Sequence, residues 1–168
     1  LLAAPGSYSA SLAKEVNGEF TTMTSPVHFK VVPLRESALQ GSSPAEAAAF
    51  WRTYEDAVRD SSAVSKTLVT EMARVEAMKR ALSRAAVAPG DLDDRLENLR
   101  GALQLIEEEL YGNRAKREIG ENTKPTIGDR LFSVELGIGE STYGPTATHQ
   151  ETMEIVAAQL KQIKSALT

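Results

Sequence analysis

The chain has 168 residues, 42% hydrophobic, 25% charged and only 5% aromatic, which is enough for one domain with a sizeable core and is the profile of an Ala-, Leu- and Glu-rich helical protein. A formal charge of -4 gives no electrostatic reason to approach nucleic acid or an anionic membrane surface. The absence of cysteine excludes disulfides, thiolate metal sites and thiol nucleophiles, and no apolar run approaches the roughly 20 residues that span a bilayer.

The opening residues read as β structure. From Tyr8 to Leu12 apolar and small polar residues alternate, Asn17-Gly18 tolerates positive φ, and Glu19 to Met23 resumes an extended pattern, so a hairpin is expected between these two runs. A third run places Val27, Phe29 and Val31 on one face and His28, Lys30 and Val32 on the other. Such a segment of two to three strands is marginal alone in water, so its apolar face needs helices or further sheet to pack on. The chain starts at Leu1 rather than Met and lacks the basic and apolar regions of a signal peptide, which reads as a piece of a longer polypeptide.

Residues 35–43 form a connector, and Ser43-Pro44-Ala45-Glu46 is a capping box with proline at the first helical position. From Phe50 a three-and-four spacing through Tyr54, Val58, Ser61, Ser65, Leu68, Met72, Val75 and Leu82 predicts a helix reaching about Val87, with its weakest place at Arg59-Asp60-Ser61-Ser62. Pro89-Gly90 stops it and Asp91 is positioned to cap the next helix. That second helix carries Leu92, Leu96, Leu99, Leu103, Ile106 and Leu110 in one seam and is expected to continue to about Ile119. A shorter helix with Ile127, Leu131, Val134 and Ile138 follows Pro125. A last one, led by Gly144-Pro145-Thr146, carries His149, Met153, Val156, Leu160, Ile163 and Leu167. The expected fold is therefore mainly α: an up-and-down antiparallel four-helix bundle over 44–168, preceded by the β segment of 1–34.

The residues that could do chemistry are sparse. His28 and His149 are far apart and neither lies in a metal-ligand spacing, which favours structural or solvated roles. Glu107, Glu108 and Glu109 are adjacent helical positions that point in different directions, so a solvated face is expected rather than a hydrolytic pair. Gly137-Ile138-Gly139 lacks the third glycine and acidic partner of a dinucleotide site. Arg114 to Arg117 is short and lacks interleaved aromatics, as a solvated helix end would. No catalytic residue, metal site or cofactor is expected. Phe50, Trp51 and Tyr54 stand out in a chain poor in large aromatics and are read as a β/helix junction against Phe29 and Val31, or as a partner contact.

Two stretches carry a family resemblance. PGSYSASLAKEVNGEFTTMTSPVHFKVVPL, with its Pro-Gly-x-Tyr start, resembles the closing strands of the β-sandwich that follows the propeller in bacterial sortilin-like proteins with BNR (Asp-box) repeats, often described as glycosyl hydrolases. KPTIGDRL and YGPTATHQETMEIV are similar to parts of the helical region that ends the same proteins. The usual Asp-Pro-Arg at the end of the last strand is here Val32-Pro33-Leu34-Arg35, and no Asp-box occurs in the chain.

The resemblance implies a non-catalytic C-terminal accessory or interaction module of a periplasmic or secreted protein. Residues 1–34 would close an incomplete β-sandwich. Its partners would be the upstream propeller and β-sandwich of the same polypeptide, with self-association or another protein partner also open; nucleic acid and membrane insertion are not expected. Any hydrolase activity implied by the family name would lie upstream. Two alternatives stand beside this reading: a region contributing to glycan binding or hydrolysis, and an autonomous coiled-coil dimerisation adaptor.

Overall fold

The computed structural model describes residues 3–34, 40–87, 90–139, 141 and 143–167. Among them the protein is mainly helical, with four short strands leading five helices: β1 (Gly6–Ala10), β2 (Ala13–Val16), β3 (Glu19–Thr22), β4 (Val27–Val31), α1 (Pro44–Leu82), α2 (Leu92–Tyr111), α3 (Arg114–Glu118), α4 (Ile127–Gly139) and α5 (Ala147–Ala166).

The β segment holds four strands, more than the two or three expected, because its pairing differs from the expected hairpin. Asn17 (φ 55°) and Gly18 (φ 85°) form a two-residue turn with positive φ at both positions, and such a turn joins only the residues that flank it. Val16 therefore faces Glu19 and Ala13 faces Thr22, while the run at Tyr8 pairs instead with the third extended stretch, from Gly6↔Val31 to Ala10↔Val27. Two hydrogen bonds, Met23 N to Leu12 O at 2.8 Å and Leu12 N to Thr24 Oγ1 at 3.3 Å, link the residues between the two pairs, beside an irregular step that contains Pro26, which has no N–H to donate. The result is a long interrupted ribbon. In its β1/β4 half Tyr8 and Phe29 stack with ring centroids 5.9 Å apart, and the Tyr8 hydroxyl donates to Ala4 O at 2.6 Å.

The helices share one core. Tyr54, Ala57, Val64, Leu68 and Val75 of α1 meet Leu96, Leu103, Ile106 and Leu110 of α2, the apolar stripe of α4 from Ile127 to Ile138, and Met153, Val156, Leu160 and Ile163 of α5. In this arrangement α1 is flanked by α2 and α5, and α4 by the same two helices. Surface ion pairs such as Arg100–Glu76 at 3.1 Å join α1 to α2 and contribute little beside the core.

Local chemistry sets the helix ends. The capping box at Ser43 forms as expected: Ser43 N donates to Glu46 Oε2 at 2.7 Å and Ser43 Oγ accepts from Glu46 N at 3.2 Å, bonds that lower the Glu46 carboxyl below its usual range. Helix α1 stops at Leu82, earlier than expected, and Pro89 lies outside the described residues. Asp91 precedes α2 but its side chain makes no capping hydrogen bond.

Helix α2 does not continue to Ile119. It breaks at Gly112, whose φ of 80° suits glycine and where a Cβ would lie 2.7 Å from Arg117 Nη2. Asn113 then caps α3, accepting from Lys116 N at 3.1 Å, and the returning turn lets Arg117 donate to the Tyr111 carbonyl at the end of α2.

A reciprocal cap starts α4. Thr126 N and Oγ1 donate to Asp129 Oδ2 at 2.9 and 2.8 Å, while Thr126 Oγ1 accepts from Asp129 N at 3.0 Å. These bonds, with Arg117 nearby, hold the Asp129 carboxyl below its usual range. A depressed folded pKa means that the unfolded chain takes up the proton first, so the contribution of Asp129 is present above the unfolded value of about 3.9 and is lost as the pH falls through the folded value. Asp129→Asn, which mimics the protonated form, is expected to lower the urea midpoint at pH 7 and to converge on the parent below about pH 4. A gap of constant size from pH 7 to pH 3 would show that the charge plays no part.

Two glycines allow a close backbone crossing. Ser42 N donates to Tyr143 O at 2.8 Å, a Cβ on Gly41 would stand 2.6 Å from that same oxygen, and one on Gly144 (φ 82°) would stand 2.6 Å from Ser42 Cβ. The segment leading into α1 is thereby fixed against the loop between α4 and α5.

Candidate interaction surface

Phe50, Trp51 and Tyr54 pack in and against the helical core. Tyr54 is buried, Trp51 packs edge-on against it with ring centroids 5.6 Å apart, and Phe50 and Trp51 lie half-buried against the core. Burial, with Glu135 of α4 as hydrogen-bond partner and nearby charge, pushes the Tyr54 phenol up to about 12, so it stays protonated over the physiological range. The intended counterpart, Phe29, stacks on Tyr8 and remains 48% exposed. Large aromatics at helical spacing serve packing when their positions coincide with the inward stripe, as these do.

The other candidates are dispersed. His149 is structural: its Nδ1 accepts from Thr146 N at 3.2 Å while Thr146 Oγ1 accepts from His149 N at 3.3 Å, closing a capping box at the start of α5. His28 lies on the polar face of the ribbon opposite Ser9. Of the three adjacent glutamates, Glu109 accepts from Gln159 Nε2 at 2.9 Å, and Glu107 and Glu108 line an open cleft of about 900 Å³ beside Tyr111, Arg114 and Arg117. That cleft mixes both charge signs. Among the described residues no group of three or more His, Asp or Glu side chains could hold a metal ion, and no helix is long and apolar enough to cross a membrane.

Exposed apolar surface is what remains. In β1/β4 the register puts Tyr8, Ala10, Val27, Phe29 and Val31 on one face and Ser7, Ser9, His28 and Lys30 on the other, yet Val27 is 67% exposed. Such strict alternation belongs to a sheet with one covered face. Among the described residues each strand is also paired along one edge only, leaving a row of backbone donors and acceptors open on the other. On α4, Phe132 (61%) and Leu136 (51%) point away from the core stripe, so this helix is apolar on both sides. The surface on α4 went unnoticed in the sequence because its four core positions already satisfy the helical period. The signal was the residue at i+1 from Leu131, and again the residue at i+2 from Val134, being apolar too.

Comparison with family models, curated proteins and solved structures finds no match.

Proposed function

We propose that the chain is a non-catalytic C-terminal accessory module of a larger exported BNR-repeat protein, attached to the upstream β domain of the same polypeptide through its N-terminal ribbon. The observation that carries this reading is the ribbon's open strand edges, which accept further strands by main-chain hydrogen bonding. The Pro-Gly-x-Tyr stretch supports it, since Gly6 and Tyr8 lie in β1, where the resemblance puts a strand. In this reading the helices form an up-and-down antiparallel four-helix bundle of α1, α2, α4 and α5. The flanking of α1 and α4 by the same two helices favours that topology.

The module acts by packing and pairing rather than by chemistry, consistent with the dispersed histidines and the mixed charges of the cleft. Reading the gene upstream of Leu1 and weighing the native product tests it. Repeated Asp-box blades in the same reading frame are the expected result. A product without them sinks the family reading.

A further inference from the structure

We propose that the apolar face of the β1/β4 ribbon closes over the outer face of α4 within the same chain, with Tyr8, Val27 and Phe29 covering Phe132 and Leu136. Both faces are apolar and uncovered by any other element among the described residues. A two-stranded ribbon is marginal in water until its apolar side is packed on something.

The dimensions agree. Strands of five residues are about 17 Å long, and the outer side of α4 from Gly128 to Gly139 extends about 17 Å. Of the charged residues of α4, Glu135 partners Tyr54 and the Arg130 Nε atom is buried. Asp129 shares the Phe132 and Leu136 stripe at the helix start, where its carboxylate is held by Thr126, so the ribbon covers the stripe from Phe132 onward.

The tether makes the contact intramolecular. The Ser42–Tyr143 hydrogen bond fixes the start of α1 beside the segment that follows α4. From there ten residues lead back to Val31 and reach at most about 35 Å. Phe132 stands only about 10 Å along the helix from Gly139, and Tyr143 follows within about 14 Å of chain. A tether this short presents the ribbon to α4 at an effective concentration of order mM, which favours the copy's own helix over that of a second molecule. The polar face, with Ser7, Ser9, His28 and Lys30, then stays in water, and the strand edges remain free for the pairing proposed above. The contact rests on the reading that upstream strands join the ribbon along its edges and leave its apolar face to α4.

Amide hydrogen exchange on the whole chain tests it. In the parent, amides of 6–10 and 27–31 are expected to exchange at least about tenfold more slowly than in the doubly substituted Phe132→Glu, Leu136→Glu chain, with α1, α2 and α5 protected alike in both. Both substituted positions are exposed, and helix content by circular dichroism verifies the variant fold. Ribbon amides equally fast in the two chains would overturn the proposal. Protection that weakens on tenfold dilution would also overturn it, by making the cover a second copy. The absence of native cysteine supplies a second readout: Phe29→Cys with Leu136→Cys should oxidise to an intrachain disulfide, whereas interchain dimers alone, or no disulfide, would count against closure.

Discussion

Leu103→Ala is expected to destabilise the protein by about 2–5 kcal/mol, whereas Leu99→Ala, one turn away in the same helix, should stay within about 1 kcal/mol of the parent. The two leucines are equivalent by spacing but not by environment, since Leu103 is 5% exposed and Leu99 48%. Truncating Leu103 removes buried methyl groups and leaves a cavity facing α1 and α4; truncating Leu99 mostly removes solvated surface. For a chain of this length the first change lowers the melting temperature by roughly 5–15 °C. Thermal melts that coincide for the two variants would show that α2 is rotated relative to the arrangement described.

Gly137→Ala should destabilise by about 1–3 kcal/mol, through overpacking rather than helix propensity, because alanine is otherwise the better helix former. A Cβ there would stand 2.2 Å from His149 Nε2 and 2.4 Å from Cε1. A free ring would swing aside, but His149 is held through Nδ1 by Thr146 N, so relief costs that half of the α5 capping box. His149→Ala in the Gly137→Ala background should therefore recover much of the loss, while His149→Ala alone is mildly destabilising. A double-mutant cycle measures the coupling, and additive effects would mean that the ring does not obstruct position 137.

These two pairs show what the sequence could and could not convey. The Asn17-Gly18 turn and the Ser43/Glu46 capping box were legible because each is decided by residues within three or four positions of one another. Strand pairing was not: alternation identifies a strand but not its partner, and Tyr8 found Phe29 rather than the nearer run at Phe20 because the tight turn had already claimed that run for Ala13–Val16. On α2, Leu99 and Arg100 compete for the slot between Leu96 and Leu103. Arg100 holds ion pairs to Glu76 of α1 and to Glu97 and lies half-buried there, which rotates the stripe away from Leu99. On α1 the same ambiguity substituted Val58 and Ser65 for the truly buried neighbours Ala57 and Val64. Phe50, Trp51 and Tyr54 were singled out for their size, but size alone does not separate a core anchor from a contact surface. The apolar outer side of α4 required a three-dimensional view.

The crossing of Gly41 and Ser42 over Tyr143 and Gly144 has a consequence for biosynthesis. The residues that fix the start of α1 are translated roughly 100 positions after it. At synthesis rates of about 5–20 residues per second, the first helix waits some seconds on the ribosome before the loop that anchors its start exists. During that interval the backbone crossing at Gly41 and Ser42 has no partner to close on. Completion of the loop after α4 is thus the event that fixes the start of α1.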